Sequence, residues 1–283
     1  RQGNRDVYSP LFFVHPIGGG VACYTTLLRS LDPQRPFYGL RAVGLDDGQK
    51  PHTNIQAMAR DYIAAIKTVQ PNGPYTLGGW SMGGVVAYEM AQQLNAQGTT
   101  QQTTQQTTAV IMLDSPAPIQ KEGAEPSLSQ LLVFARSLEI PDAQTQPLAL
   151  SERFRALALA DQLEEIRRRA VAVKVLPESF GRSHMRALYN VFQSNDTALK
   201  QYVATPDIAG TPMFFIRAQE ASSITGDRDT LGWQQLVGHR LRVAQARGDH
   251  YSMVKNPQAQ ALGELIETYL QSVQQPSMLP LLR

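Results

Sequence analysis

Tyr75-Thr76-Leu77-Gly78-Gly79-Trp80 runs without a break into Ser81-Met82-Gly83-Gly84-Val85-Val86-Ala87-Tyr88-Glu89-Met90-Ala91-Gln92-Gln93-Leu94, with Gly98 a few residues beyond. The first six residues read as a buried strand, preceded by the turn sequence PNGP at 71–74, and the remainder as a helix that Gly98 stops. Gly79-Trp80-Ser81-Met82-Gly83 then falls on a strand-to-helix turn, the context that gives G-x-S-x-G its mechanical meaning. So sharp a turn forces the serine into a strained backbone geometry, and small residues on either side let strand and helix approach; Gly79, Gly83 and Gly84 meet that requirement. The turn lifts the Ser81 hydroxyl to the C-terminal end of the sheet, with the following amides at a helix N-terminus. Partial positive charge there favours a developing oxyanion, so the Met82 N–H is the first candidate donor. The plainer reading is a glycine-rich turn with an ordinary capping serine.

Upstream, Leu11 to His15 (LFFVH) is a short apolar strand that ends in Pro16-Ile17-Gly18-Gly19-Gly20, a loop that exposes its backbone. Pro16 has no N–H, so the Ile17 N–H is the candidate second oxyanion donor. HPIGGG is not a phosphate loop, because no Lys-Ser/Thr follows and the GxGxxG spacing fails at Cys23. A helix is expected from about 21 to 31, a strand near 37–41, and a helix over 53–69, where Ile55, Met58, Ala59, Tyr62, Ile63 and Ile66 recur at helical spacing. Alternation of strand and helix predicts a mostly parallel central sheet with flanking helices. Residues 99–108 (TTQQTTQQTT) offer nothing apolar to bury and read as a surface excursion, with the next strand, AVIMLD, starting directly after it.

From 125 to 206 the strand pattern gives way to helical segments, among them SERFRALALADQLEEIRRRAVAV. Strands return at PMFFIRA and LRVAQA before a last helix over about 257–273. The expected organisation is an α/β-hydrolase core over 1–124 and 207–283, interrupted by a helical lid over 125–206.

In that fold the nucleophile is followed in sequence by an acid and then a histidine, which excludes His15 and His52. His184 lies within the insertion, and His239 precedes its strand, at the wrong end of a parallel sheet. His250 follows the LRVAQA strand and is the candidate general base. The bland alternative for His250 is a surface imidazole satisfied by Asp249. Asp114 ends the AVIMLD strand on the catalytic side and is the preferred acid. Its rival is Glu220, two residues past the later FFIRA strand.

The whole chain sets bounds on these readings. Its 283 residues suffice for one large core, and 26 basic against 24 acidic side chains give no electrostatic case for nucleic acid or a membrane surface. One cysteine, Cys23, allows no internal disulfide, and neither CxxC nor HExxH spacing marks a metal site. A reducing, cytoplasmic setting fits this usage. No apolar run reaches a membrane span's length, the start lacks a signal-peptide layout, and the absent initiator methionine suggests a piece of something longer. Cys23 reads as a small packed hydrophobe, and Trp80 as packing beneath the turn or lining an acyl channel. Arg167-Arg168-Arg169 with Lys174 reads as the solvated face of a helix, or as a cluster that greets a phosphate or an acidic partner.

Taken together, LFFVHPIGGG, GPYTLGGWSMGGVVAYEMAQQL, VIMLDSPAP and GDHYSMV resemble the type I thioesterase domains that terminate nonribosomal peptide synthetases and some polyketide synthases. The resemblance implies an acid after the strand that follows the nucleophile helix, which favours Asp114, and oxyanion amides at Ile17 and Met82. It implies release of a peptidyl or acyl chain from an upstream carrier domain's phosphopantetheine thioester through an ester on Ser81, by hydrolysis or macrocyclisation, with no cofactor bound by the domain itself. The Thr/Gln run departs from the family's short connector. A free-standing carboxylesterase or an editing thioesterase would carry the same three residues. A non-catalytic scaffold would be expected to lack one.

Overall fold

Strands covered on both faces need apolar residues throughout, whereas edge strands do not, and burial along the six strands of the computed structural model follows that rule. The structure describes residues 3–46, 48–98, 107–118, 130–141, 148, 151–206, 210–220 and 229–274. Strands β1 (Leu11–Val14), β3 (Tyr75–Trp80) and β5 (Met213–Ala218) are buried throughout, and β4 (Thr107–Leu113) almost so. The half-exposed β2 (Phe37–Leu40) and β6 (Leu241–Ala246) are the edges of a parallel sheet of order β2-β1-β3-β4-β5-β6.

The two-residue period of the strands divides the core. Phe12, Val14, Leu77, Val110 and Met112 pack with α2 (Ile55–Val69) and α3 (Met82–Gly98) on one face. Leu11, Phe13, Ile111 and Leu113 pack on the other, with α1 (Tyr24–Ser30) and a C-terminal helix, Gln258–Gln274. The apolar spacing in α2 is the one read from the sequence, and Asn54 caps it by accepting the Ala57 N–H at 2.7 Å. Chain order and sheet order part company at β1 and β3: the chain leaves β1 for one edge and returns to lie on its other side. The crevice at such a switch point, beyond the strands' C-terminal ends, is where an open parallel sheet places a site.

An insertion of helices follows β4. Its described elements are α4 (Gln130–Ser137), α5 (Glu152–Arg155), α6 (Leu159–Ala172) and α7 (Arg182–Gln201), and they share a core built on Phe134, Phe154, Ile166, Met185, Tyr189 and Phe192. The long helix expected from Ser151 onward breaks into α5 and α6, and the Gln162 side chain donates to the Phe154 carbonyl at the break. After β5 come α8 (Trp233–Val237), which the sequence did not announce, and a short 3₁₀ turn at Gly238–Arg240. The last helix is α9 (Gln258–Gln274).

One boundary differs from the sequence reading. Strand β4 begins at Thr107, two residues inside the Thr/Gln run, and Thr107 is fully buried opposite Tyr75, where the register is irregular. A β-branched threonine suits that position, although polarity had placed it in a loop. Residues 99–106 of the run lie outside the described residues. Among the described residues no helix is long and apolar enough to cross a membrane.

Candidate active site

Ser81 has φ +57°, the left-handed backbone region that a side chain rarely adopts, as the strand-to-helix turn demands. The approach it permits is close enough that a Cβ on Gly79 would stand 2.2 Å from the Gly83 carbonyl carbon, and one on Gly83 would stand 2.3 Å from the Val14 carbonyl oxygen. Gly84 lies against Ser115, whose Oγ would be 2.1 Å from an added Cβ. The three glycines named from the sequence thus sit where strand, turn and helix leave no room.

Tyr24 binds the two strands of the switch point together: its hydroxyl donates to the Val14 carbonyl at 2.6 Å and accepts the Trp80 N–H at 2.8 Å. The Trp80 indole N–H in turn donates to the His250 carbonyl at 2.9 Å, and the two rings lie 5.1 Å apart. Trp80 is buried beneath the turn and is also among the residues that line the cavity with Ser81.

His250 Nδ1 lies 2.8 Å from Asp114 Oδ2, and both side chains are buried. Asp114, also at positive φ (+43°), receives the Ala218 N–H on Oδ1 at 3.0 Å and a charged hydrogen bond from Arg217 on the same oxygen. Burial pushes the Asp114 carboxyl up, but the bonds from His250, Ala218 and Arg217 outweigh it and hold the group below its ordinary value. Asp249 does not serve His250. Its carboxylate accepts the Tyr251 and Ser252 N–H groups at 3.0 and 2.7 Å and shapes the loop that presents the imidazole. Glu220 is exposed beyond β5 and its backbone N–H bonds Gly248.

Ser81 and His250 line one cavity of about 220 Å³, with Pro16, Ile17 and Gly18 from the glycine loop, Pro116 after β4, and Val133, Arg136 and Ser137 from α4 of the insertion. The Pro16 carbonyl accepts from His15 Nδ1 at 2.7 Å and from the Gly19 N–H at 2.9 Å, which together hold the Pro16–Ile17 peptide. The other histidines stand apart from this cavity. His52 pairs with Asp61 at 2.6 Å, His184 is exposed on α7, and His239 precedes β6 at the far end of the sheet.

Over residues 9–270 the sequence matches the family of thioesterase domains. The chain belongs to that family. The non-reducing polyketide synthase crz7 of Cladonia metacorallifera is 29% identical to it over 272 residues, which are 95% of this chain and 12% of the synthase. A dimodular nonribosomal peptide synthase of Bacillus subtilis (strain 168) is 48% identical over 89 residues, 31% of this chain and 4% of the synthase. The thioesterase domain therefore spans a small part of the length of these curated relatives. Among solved structures, the four-domain nonribosomal peptide synthetase holo-AB3403, bound to AMP and glycine, matches at TM-score 0.78 and 31% identity, covering 99% of this chain and 20% of that one. The Vlm2 thioesterase domain bound with a dodecadepsipeptide matches at TM-score 0.64 and 17% identity, covering 95% and 94%. The thioesterase domain has the α/β-hydrolase fold they share, and its family is one of thioester-cleaving enzymes.

Two residues that bear on the site escaped the sequence reading. Arg217 had a visible signal, a lone charge inside the apolar run MFFIRA, which in a central strand must be paired. Asn195, on the insertion helix α7, had none. Two other features singled out from the sequence have a defined structural setting. Burial, with Glu139 nearby, pushes the Cys23 thiol up to about 12, so the thioesterase domain has no second ready nucleophile there. Arg167 and Arg168 pair with Glu164, and Arg169 with Glu165, along α6, and the Arg167 bonds first of all hold Glu164 down at about 2.

Proposed function

We propose that this domain releases an acyl or peptidyl chain from the phosphopantetheine thioester of a carrier domain, with Ser81 as nucleophile, His250 as general base and Asp114 as its orienting acid. The observation that carries this reading is the convergence of Ser81, held at the strained turn, with an Asp114-paired His250 on a single cavity. With Nδ1–H donated to Asp114, the neutral imidazole keeps its lone pair on Nε2, the tautomer a base needs.

Ser81 Oγ forms a bond to the thioester carbonyl carbon and its proton passes to His250 Nε2. The oxyanion is received by the Ile17 N–H of the loop after β1 and the Met82 N–H at the N-terminus of α3, which stabilise it by about 3 kcal/mol per donor. The C–S bond then breaks, the thiol leaves with the proton from His250, and the chain remains as an ester on Ser81. Water, or an amine or hydroxyl of the chain itself, attacks that ester; its proton goes to His250 and on to Ser81 Oγ. Hydrolysis and macrocyclisation differ only in this acceptor, and the helices over 125–206 act as the lid that decides which one reaches the ester. The sequence uses no cofactor beyond the carrier's arm.

The test is intact-protein mass after brief exposure to acyl-N-acetylcysteamine thioesters, wild type beside Ser81→Ala, with the released product analysed in the same run. An acyl adduct on the wild type alone supports the reading. Equal turnover by Ser81→Ala overturns the nucleophile assignment.

A further inference from the structure

The loop assigned above to the oxyanion is held from two sides, and one of them is the lid. The Ile17 N–H belongs to the peptide whose carbonyl, that of Pro16, is fixed by His15 and Gly19. The next carbonyl, that of Ile17, accepts a hydrogen bond at 2.9 Å from the side-chain amide of Asn195 on α7. Asn195 is 1% exposed, in the middle of a helix whose neighbouring residues Val191 and Phe192 are also buried. Val191 stands against the glycine loop, where a Cβ on Gly19 would meet its Cγ1 at 2.7 Å. The Ile17 side chain packs against both the main core and the core of the insertion.

We infer that Asn195 is a positioning residue through which the lid helix completes the oxyanion hole, so that seating of α7 sets the reactivity of Ser81. Two adjacent peptides carry four torsions, and the His15 and Gly19 bonds fix one plane while Asn195 fixes the next. Without the second anchor the Ile17–Gly18 peptide rotates about the Ile17 Cα and the loop loses its seat on α7. The Pro16–Ile17 plane is then held only by bonds within the loop itself, and it shifts with the loop and carries the Ile17 N–H out of line with the developing charge. A donor displaced by an ångström loses most of its value to the transition state while ground-state binding is unaffected. Helix α7 also belongs to the lid's own core, so a carrier or acyl chain that shifts the lid adjusts the hole directly. This inference rests on the proposed assignment of Ile17.

The test uses a fluorophosphonate. Its phosphorus takes the Ser81 Oγ as fluoride leaves, and the phosphoryl oxygen draws on the same donors whatever thioester the enzyme prefers. Asn195→Leu removes the donor at similar volume, and Asn195→Asp, assayed at pH 8 as the carboxylate, removes it at the same shape. In variants shown folded by urea titration, both the phosphonylation rate and kcat for an acyl-N-acetylcysteamine substrate fall together, roughly tenfold to a hundredfold, with KM within about twofold of wild type. Wild-type phosphonylation rates in the folded variants, or a loss confined to KM, overturn the inference. Wild-type protein that is phosphonylated on Ser81 yet cleaves no thioester counts against the proposed function and leaves the lid contact standing.

Discussion

At the scale of single residues, the site turns on how Asp114 is held. A carboxylate has two oxygens and rotates freely unless both are engaged; here Arg217 and the Ala218 N–H take Oδ1, which leaves Oδ2 for His250. Arg217 also counters the cost of burying the charge, since it is among the groups that keep the Asp114 carboxyl low against the pull of burial. Arg217→Met should raise that carboxyl. With Asp114 ionised above its folded value and protonated below it, the acid limb of the kcat/KM profile should move to higher pH. The plateau should fall about tenfold, from lost alignment of the dyad. Arg217→Lys keeps the charge and should restore the limb more fully than the plateau. A pH–rate profile of both variants checks this, and an unmoved limb in Arg217→Met would show that the arginine serves packing alone. The position of Ser81 was legible in the sequence from the local glycine pattern, and that of His250 from its place in chain order after the last strand. Arg217 reaches Asp114 across 103 residues and Asn195 reaches Ile17 across 178, and only the folded chain brings such pairs together.

At the scale of elements, the decisive junction is β3 to α3 against the end of β1. The sequence carried this junction almost completely, because glycine spacing and an abrupt change of hydrophobic period leave few other geometries. It carried the insertion poorly, because helices that pack mainly on one another share a period with any amphipathic segment, so the α5–α6 break at Ala156 had no cue. The junction's tolerance differs sharply from glycine to glycine. Gly83→Ala drives a methyl to 2.3 Å from the Val14 carbonyl oxygen, a backbone atom of a central strand that has nowhere to go. Overpacking of this kind costs about 3 kcal/mol and should displace the turn, so both the urea midpoint and thioester turnover should drop. Gly20→Ala, in the same neighbourhood but with nothing within 4 Å of the new methyl, should match wild type in both measurements. Comparable stability in the two variants would contradict the packing described for the turn.

At the scale of the whole molecule, stability carries a pH dependence that originates at the same loop. His15 is fully buried at the end of β1, donating from Nδ1 to the Pro16 carbonyl and accepting the Tyr62 hydroxyl on Nε2 at 2.7 Å. Nε2, as an acceptor, is committed to the neutral form, and burial lowers the pKa from 6.5 to about 4 against the Pro16 bond, which favours the charged ring. The unfolded chain takes up a proton near pH 6.5 and the folded chain does not until about pH 4, so the unfolded state binds more protons throughout that window. Stability from this group is therefore undiminished above pH 6.5 and declines as pH falls towards 4. The expected loss is about 2 kcal/mol between pH 6.5 and 5, a range that lies above the ordinary carboxylate pKa values. Urea titrations at pH 7, 6 and 5 should show the midpoint falling, and His15→Asn, less stable at pH 7, should show a much flatter trend. An equally steep decline in His15→Asn would assign the acid sensitivity to another group. A flat wild-type profile would mean that the fold admits the proton, with the Tyr62 hydroxyl turning to accept from Nε2–H while the Nδ1–H bond to the Pro16 carbonyl stays in place.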